Sequence, residues 1–291
     1  AGDAAISMKV LTLANIINII LDPCLIFGWG PFPELGLMGA AIATSFGRGT
    51  AVIVQFYILF KGNGRIKISV SQLKPDFKLI KELLVLSKGT IGQYIISTTS
   101  WIGLARIIAV FGSIVLAGYT VAIRIVLFFI LPLWGLSNAA ATLVGQNLGA
   151  KKVERAEKSV WITGYINMVL MSSIGILFIL FPEFFINILT NDHAVIVYAI
   201  DCLRIVGFAL FPYSLGLVLT QAFNGAGDSA TPMNINFFCF WLFQVPIAWL
   251  LAIFLDIGPN GVYIAIALAD TLLVIIGIIL FKKGHWKTKE V

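Results

Sequence analysis

The chain has 291 residues, 59% hydrophobic and 12% charged, with a mean hydropathy of +0.97. A water-soluble domain carries about 25% charged residues, so this composition excludes an ordinary soluble fold and implies an integral membrane protein. The net charge of +6 would suit nucleic acid if the basic residues formed one patch, but they are spread along the chain in a topological pattern.

Apolar runs near the ~20 residues needed to cross a bilayer fall at about 8–27, 39–60, 89–111, 115–143, 159–181, 195–223, 234–255 and 261–281. They are too long and too evenly apolar for barrel strands, which alternate over ~10 residues. The expected fold class is therefore all-α integral membrane, with eight transmembrane helices. Basic residues test this layout through the positive-inside rule. Most of the 20 Lys and Arg lie in alternate connections: Lys9, the 61–88 segment, the 151–158 loop, and a tail with Lys282, Lys283, Lys287 and Lys289. The opposite connections carry Glu34, Glu183, Asp192 and Asp256 instead. The basic connections and the C-terminus are thus expected in the cytoplasm.

The first run ends on a carboxylate. Asn15, Asn18 and Asp22 follow i, i+3, i+7 spacing and share one helix face. Pro23 has no N–H to offer the Ile19 carbonyl. A carboxylate, two amides and a freed carbonyl are hard oxygen donors, suited to Na⁺ or to a proton. Thr44, early in the second run, can add a hydroxyl. Between 61 and 88, apolar Phe77, Ile80, Leu83, Leu84 and Leu86 alternate with Lys74, Lys78, Lys81 and Glu82. Pro75 can start a helix there, so an amphipathic helix on the cytoplasmic surface is expected.

Ionisable residues inside spans are costly and therefore candidates for function. Besides Asp22 they are Arg48, Arg106, Arg124, Asp201, Arg204 and Asp270. Asp201 and Arg204, i and i+3, can form a local ion pair. Arg106 and Arg124 face each other across a short outer hairpin and are expected to point to a water-filled cavity or separate acceptors. Pro132, Pro212 and Pro246 interrupt later spans. Trp29 and Phe32 are expected at the outer interface, Trp161 and Trp286 at the inner one. Cys24, Cys202 and Cys239 have no metal-like spacing and read as small buried hydrophobes. No nucleophile–base set, phosphate loop or metal cluster is visible, so an enzyme has little support.

A repeat organises the whole. Ala1-Gly2-Asp3 with Met8 recurs as Ala226-Gly227-Asp228 with Met233, and Gly36-x-x-Gly39 recurs as Gly258-x-x-Gly261. By the second offset, Arg48 answers Asp270. The copies lie an even number of spans apart, so they run in parallel, as in transporters built from two similar halves. The second half has six spans and the first shows only its last two. Four further spans are therefore expected before Ala1, and the chain reads as a fragment. The expected domains are 1–64 (last two helices of the first lobe), 65–88 (amphipathic linker) and 89–291 (second lobe of six helices).

The segments AGDAAISMKVLTLANIINIILDPCLIFG (1–28), GLMGAAIAT (36–44), LSNAAATLVGQNLGAKKVERAEK (136–158) and QAFNGAGDSATPM (221–233) resemble those of the multidrug and toxic compound extrusion (MATE) transporters. The similarity covers the whole chain, as helices five to twelve of twelve. It implies efflux of organic, often cationic compounds by antiport against Na⁺ or H⁺, with two six-helix lobes rocking between access states. By this resemblance Asn18 and Asp22 match a family cation-binding pair, with Ala40 (through its carbonyl) and Thr44 from the next helix, so Na⁺ is possible there. Several members carry an acid on the seventh helix, where this sequence has Gln93 and no Asp or Glu from Gly89 to Gly112. That points to coupling in the first lobe. Gln93, Arg106, Arg124 and Tyr119 are candidates for a substrate cavity, with Phe128, Phe129 and Trp134 as further wall residues. The implied setting is a prokaryotic plasma membrane, with a monomeric protein and no organic cofactor. The alternatives are a lipid-linked oligosaccharide flippase of the same superfamily and a truncated, non-transporting membrane protein.

Overall fold

The computed structural model describes residues 4–61, 68–69 and 75–288. Among these residues the regular elements are all helical. The chain divides into two compact units, Ala1–Phe77 and Lys78–Val291. Among the described residues seven helices are long and apolar enough to cross a membrane, and the molecule is a multi-pass membrane protein.

The first unit is a helical hairpin of α1 (Ala4–Ile26) and α2 (Leu37–Lys61). It has almost no large buried core. Val10, Ala14 and Ala51 form a small buried apolar cluster, flanked by Ile6, Val54 and Ile58, and Leu25 and Ala43 are buried beside it. What holds it is backbone proximity. Gly39, Ala43, Gly47 and Ala51 are buried at every fourth position of α2, a stripe of small residues that lets two membrane helices touch. A Cβ on Gly39 would collide with the Leu25 carbonyl, and one on Gly47 would meet the Ala14 carbonyl at 2.9 Å. The Leu35 N–H donates to the Leu25 carbonyl at 2.9 Å and closes the loop between the helices.

The second unit contains α3 (Phe77–Ala109), α4 (Ser113–Gly149), α5 (Val153–Leu180), the short α6 (Pro182–Ile186), α7 (His193–Gly225), α8 (Ala230–Phe254) and α9 (Pro259–Lys283). Buried residues cover most of the circumference of α7, as in a central helix; it packs on α4, α5 and α9. Two apolar clusters fill the unit, one including Ile108, Tyr119, Leu203 and Tyr263, the other including Val144, Val160, Leu219 and Phe281. Within α8, residues Phe237–Gln244 and Leu250–Phe254 are wound as π-helix. Pro246 lies between them and cannot donate to the carbonyl four residues back. Val245 instead donates to Phe240, five residues back, and the Ser100 hydroxyl donates to the same carbonyl at 3.1 Å.

Three expectations change. The amphipathic helix expected within the 65–88 linker is not a separate element, because it runs without break into the third span as the 33-residue α3. Residues 65–67 and 70–74 lie outside the described residues. Its lysines, Gln93, the run Ser97–Ser100 and Arg106 dilute its apolar character, and α3 is not among the seven. Trp286 is not an interface residue. It is fully buried, stacked on Phe281 with ring centroids 4.7 Å apart, and donates to the Phe281 carbonyl at 3.0 Å. Beside it, Lys287 pairs with Glu157 at 2.6 Å. Finally, Asp201 and Arg204 form no ion pair among the described residues; Arg204 is exposed.

The repeat is visible in the backbone. Gly36 and Gly258 both take positive φ, 52° and 73°, where only glycine is unstrained. Each is followed by a helix whose third residue is a glycine pressed on the preceding helix: a Cβ on Gly39 would collide with the Leu25 carbonyl, and one on Gly261 would come within 2.6 Å of the Ala252 backbone nitrogen.

Candidate functional site

In the first unit the sequence brings three of the four expected cation-site residues together. Asn18 and Asp22 are one turn apart on α1, and the close approach at Gly47 sets α2 against the same face, since a Cβ on Gly47 would also meet the Asn18 Cβ at 3.5 Å. In one amide orientation the Asn18 nitrogen stands 3.4 Å from both Asp22 Oδ1 and Thr44 Oγ1. In the opposite orientation that nitrogen donates to Asp22 Oδ2 at 3.2 Å and the amide oxygen accepts from the Thr44 N–H at 3.2 Å. The second orientation pairs donors with acceptors at both ends and is the better assignment. Asn18 therefore bridges the two helices and steadies the carboxylate. Ala40 lies one turn before Thr44 on α2 and is, like Asn18, Asp22 and Thr44, partly buried. Asn15 is exposed and outside the cluster. A carboxylate, a hydroxyl and carbonyl oxygens form a donor set that fits a hard cation, and the carboxylate fits a proton equally well. Among the described residues no group of three or more His, Cys, Asp or Glu could hold a metal ion.

The second unit contains a cavity of about 360 Å³ lined by Thr90, Gln93, Tyr94 and Ser97 of α3, Trp134 and Asn138 of α4, residues of α7 between Tyr213 and Asn224, Asn236 and Phe240 of α8, and Leu273 of α9. The Gln93 Nε2 donates to Asn224 Oδ1 and to the Ser229 carbonyl, both at 3.1 Å. Asn224 Nδ2 reaches back to Gln93 Oε1 and to Gln221 Oε1, both at 3.4 Å.

A family model described as MatE matches residues 90–250. The chain belongs to the MatE family.

Relatives and solved structures agree with that membership. A "Probable multidrug resistance protein NorM" from Thermotoga maritima is 28% identical, with 100% of this chain and 62% of the relative covered. A "FAD transporter" from Shewanella oneidensis is 24% identical, with 94% and 60% covered. A solved "Outward-facing conformation of a multidrug resistance MATE family transporter of the MOP superfamily" superposes with a TM-score of 0.88 at 22% identity, covering 97% of this chain and 62% of that one. A MOP superfamily transporter from Pyrococcus furiosus Vc1 gives 0.89 at 22% identity, with 97% and 63% covered. The chain thus spans about 62% of the NorM relative's length. The two-lobe transporter fold expected from the repeat is the fold of these structures.

The MatE chain places the other expected cavity residues differently. Gln93 and Trp134 line the cavity. Tyr119 does not: it is buried in the apolar core, accepts from Trp101 Nε1 at 2.8 Å and stacks on Tyr263. Arg106 and Arg124 are exposed and off the cavity wall. Phe129 packs among Phe178 and Phe185, and Phe128 is exposed. Arg48 is exposed, while Asp270 is buried in the second unit and within electrostatic reach of Tyr213. The amides Asn138, Gln221, Asn224 and Asn236 are wall residues that sequence reasoning missed. Asn138, Gln221 and Asn224 fall inside the segments quoted for the family resemblance, which was the available pointer.

Proposed function

We propose that this chain is part of a secondary active multidrug efflux transporter, exchanging organic, often cationic compounds for Na⁺ or H⁺. The reading is supported by family membership, by relatives named as multidrug resistance proteins, and above all by one observation: Asn18 ties Asp22 to Thr44 inside an apolar hairpin. A carboxylate in a membrane helix is costly unless a partner or bound ion repays it. Asp22 holds the coupling ion, Asn18 orients the carboxylate, and Thr44 with the Ala40 carbonyl completes the oxygen set. Loading and release of the ion change the charge in the hairpin, which biases the two lobes between inward and outward access. Arg106 and Arg124, which a lipid-linked oligosaccharide flippase would need in a cavity, are off the described cavity's wall. We place the protein in a prokaryotic plasma membrane as a monomer.

The test is Asp22→Asn in the intact protein, reconstituted in vesicles with imposed Na⁺ and proton gradients. Efflux in the wild type should follow one of the gradients, and the variant should lose that dependence. A variant with undiminished efflux and ion dependence sinks the mechanism, and a wild type with no gradient-driven efflux returns the non-transporting alternative.

A further inference from the structure

The second unit carries a strongly basic corner where the start of α5 meets the end of α9. Residues 151–158 and 282–287 together hold seven Lys or Arg against two Glu. The two runs are brought together because the tail after α9 folds back. Trp286 is buried on Phe281, Trp161 of α5 packs edge-on against Phe281, and Lys287 pairs with Glu157, 130 residues away in the chain. Lys151, Lys152, Arg155, Lys158, Lys282 and Lys283 remain exposed and form no ion pair among the described residues. Four of these six gather at the start of α5, where the positive pole of the helix disfavours cations. An anion from outside the chain would relieve that excess. The helix faces below the corner indicate which kind of anion. On α5, Arg155 and Lys158 share one face with the exposed Ile162, Tyr165, Ile166 and Val169, at i, i+3, i+7, i+10, i+11 and i+14. On α9, Lys282 ends a stripe of exposed Leu268, Ile275 and Ile279, at i, i+7, i+11 and i+14. Both helices are of membrane-spanning length and apolarity, so each stripe is a surface for acyl chains with cations at its end.

We propose that this corner binds an anionic glycerophospholipid from the leaflet on its own side. The headgroup phosphate is held among Arg155, Lys158 and Lys282, and the acyl chains lie along the apolar stripes of α5 and α9. A soluble phosphate would use the cations and leave both stripes idle, whereas a lipid uses both. A zwitterionic headgroup brings its own ammonium to the corner and forfeits most of the attraction, which is worth about fivefold in affinity for each Lys or Arg near the surface. Such a site needs only that α5 and α9 lie in a membrane, and it is independent of ion-driven efflux.

The test titrates the full chain, purified in an uncharged detergent, with phosphatidylglycerol or with phosphatidylcholine of the same acyl chains, and counts bound lipid by native mass spectrometry. Phosphatidylglycerol should bind about tenfold more tightly. Arg155→Gln combined with Lys282→Gln should remove most of that advantage. Lys81→Gln combined with Lys88→Gln, which deletes as many charges from exposed positions of α3, should leave it intact. Glycerol 3-phosphate, a headgroup without chains, should not displace the lipid at millimolar concentration. Equal binding of the two lipids overturns the proposal on wild-type protein alone, whatever the folding of the variants. Equal weakening by both charge deletions overturns it too, since the corner would then act only as part of a general positive charge. Displacement by glycerol 3-phosphate would reassign the corner to a soluble anion. Because no gradient is applied, each of these failures leaves the effect of Asp22→Asn on efflux standing.

Discussion

Asn18 is the residue on which the first unit's chemistry turns. An amide is both donor and acceptor, so one side chain can satisfy the Asp22 carboxylate and the α2 backbone at once, at 3.2 Å each. A second carboxylate here would repel Asp22, and an apolar residue would strand it. In the proposed ion site Thr44 has a smaller role, offering one hydroxyl. Thr44→Val should therefore weaken ion dependence by about fivefold, the equivalent of about 1 kcal/mol, while efflux at saturating ion is kept. An equal loss at every ion concentration would instead mean that Thr44 supports the fold. This cluster was legible in the sequence because Asn18 and Asp22 are local, one turn apart. The Asp201–Arg204 pair was equally local yet does not form, since i, i+3 spacing permits a contact and solvent or lipid exposure at Arg204 leaves nothing to enforce it.

Among the elements, the hairpin of α1 and α2 shows what holds a membrane structure without a large core. Its strength lies in surface fit between backbones, and single methyl groups matter. Gly39→Val should lower the unfolding temperature in detergent, costing about 1–3 kcal/mol as overpacking does, whereas Gly49→Ala, with nothing within 4 Å of the added carbon, should be neutral. If the two variants unfold alike, the small-residue stripe is not what joins the helices. The long α3 shows where sequence reading stops. Its amphipathic start and apolar continuation looked like two elements separated at Gly89. Glycine costs only about 1 kcal/mol in a helix and does not end one without a further stop signal. Gly89 is in fact a packing residue, since a Cβ there would collide with Ser229. The π-wound stretches of α8 were heralded only by Pro246, which signals a disturbance but not its form. The cavity amides were hidden for another reason: Gln93 and Asn224 are 131 residues apart, and no local pattern joins them.

At the scale of the whole molecule, the proposed orientation follows from charge asymmetry. The positive-inside rule would put the basic connections in the cytoplasm, and Lys282 and Lys283 close the last turn of α9, where they also complement the helix dipole. A reporter enzyme active only outside the cell, fused after Val291, should stay inactive, and the same reporter inserted after Phe181 should be active. The opposite result would invert the proposed topology. The tail beyond α9 is anchored through its tryptophan rather than its charge: Trp286 is fully enclosed, while the Lys287–Glu157 pair is about one-third exposed on each side, where an ion pair contributes roughly 0–1 kcal/mol.

The paired glycines Gly36 and Gly258 show that one hairpin design is used twice. The first copy places a carboxylate near the end of its leading helix. Around the corresponding turn the second copy has Ile247, Ala248 and Trp249, and Ile266 stands where Thr44 would be. The glycine joints thus recur without the polar side chains that surround the first copy's carboxylate. One backbone frame carries Asp22 on the leading helix of the first copy and the buried Asp270 on the following helix of the second, so the two copies differ by a few side chains rather than by architecture.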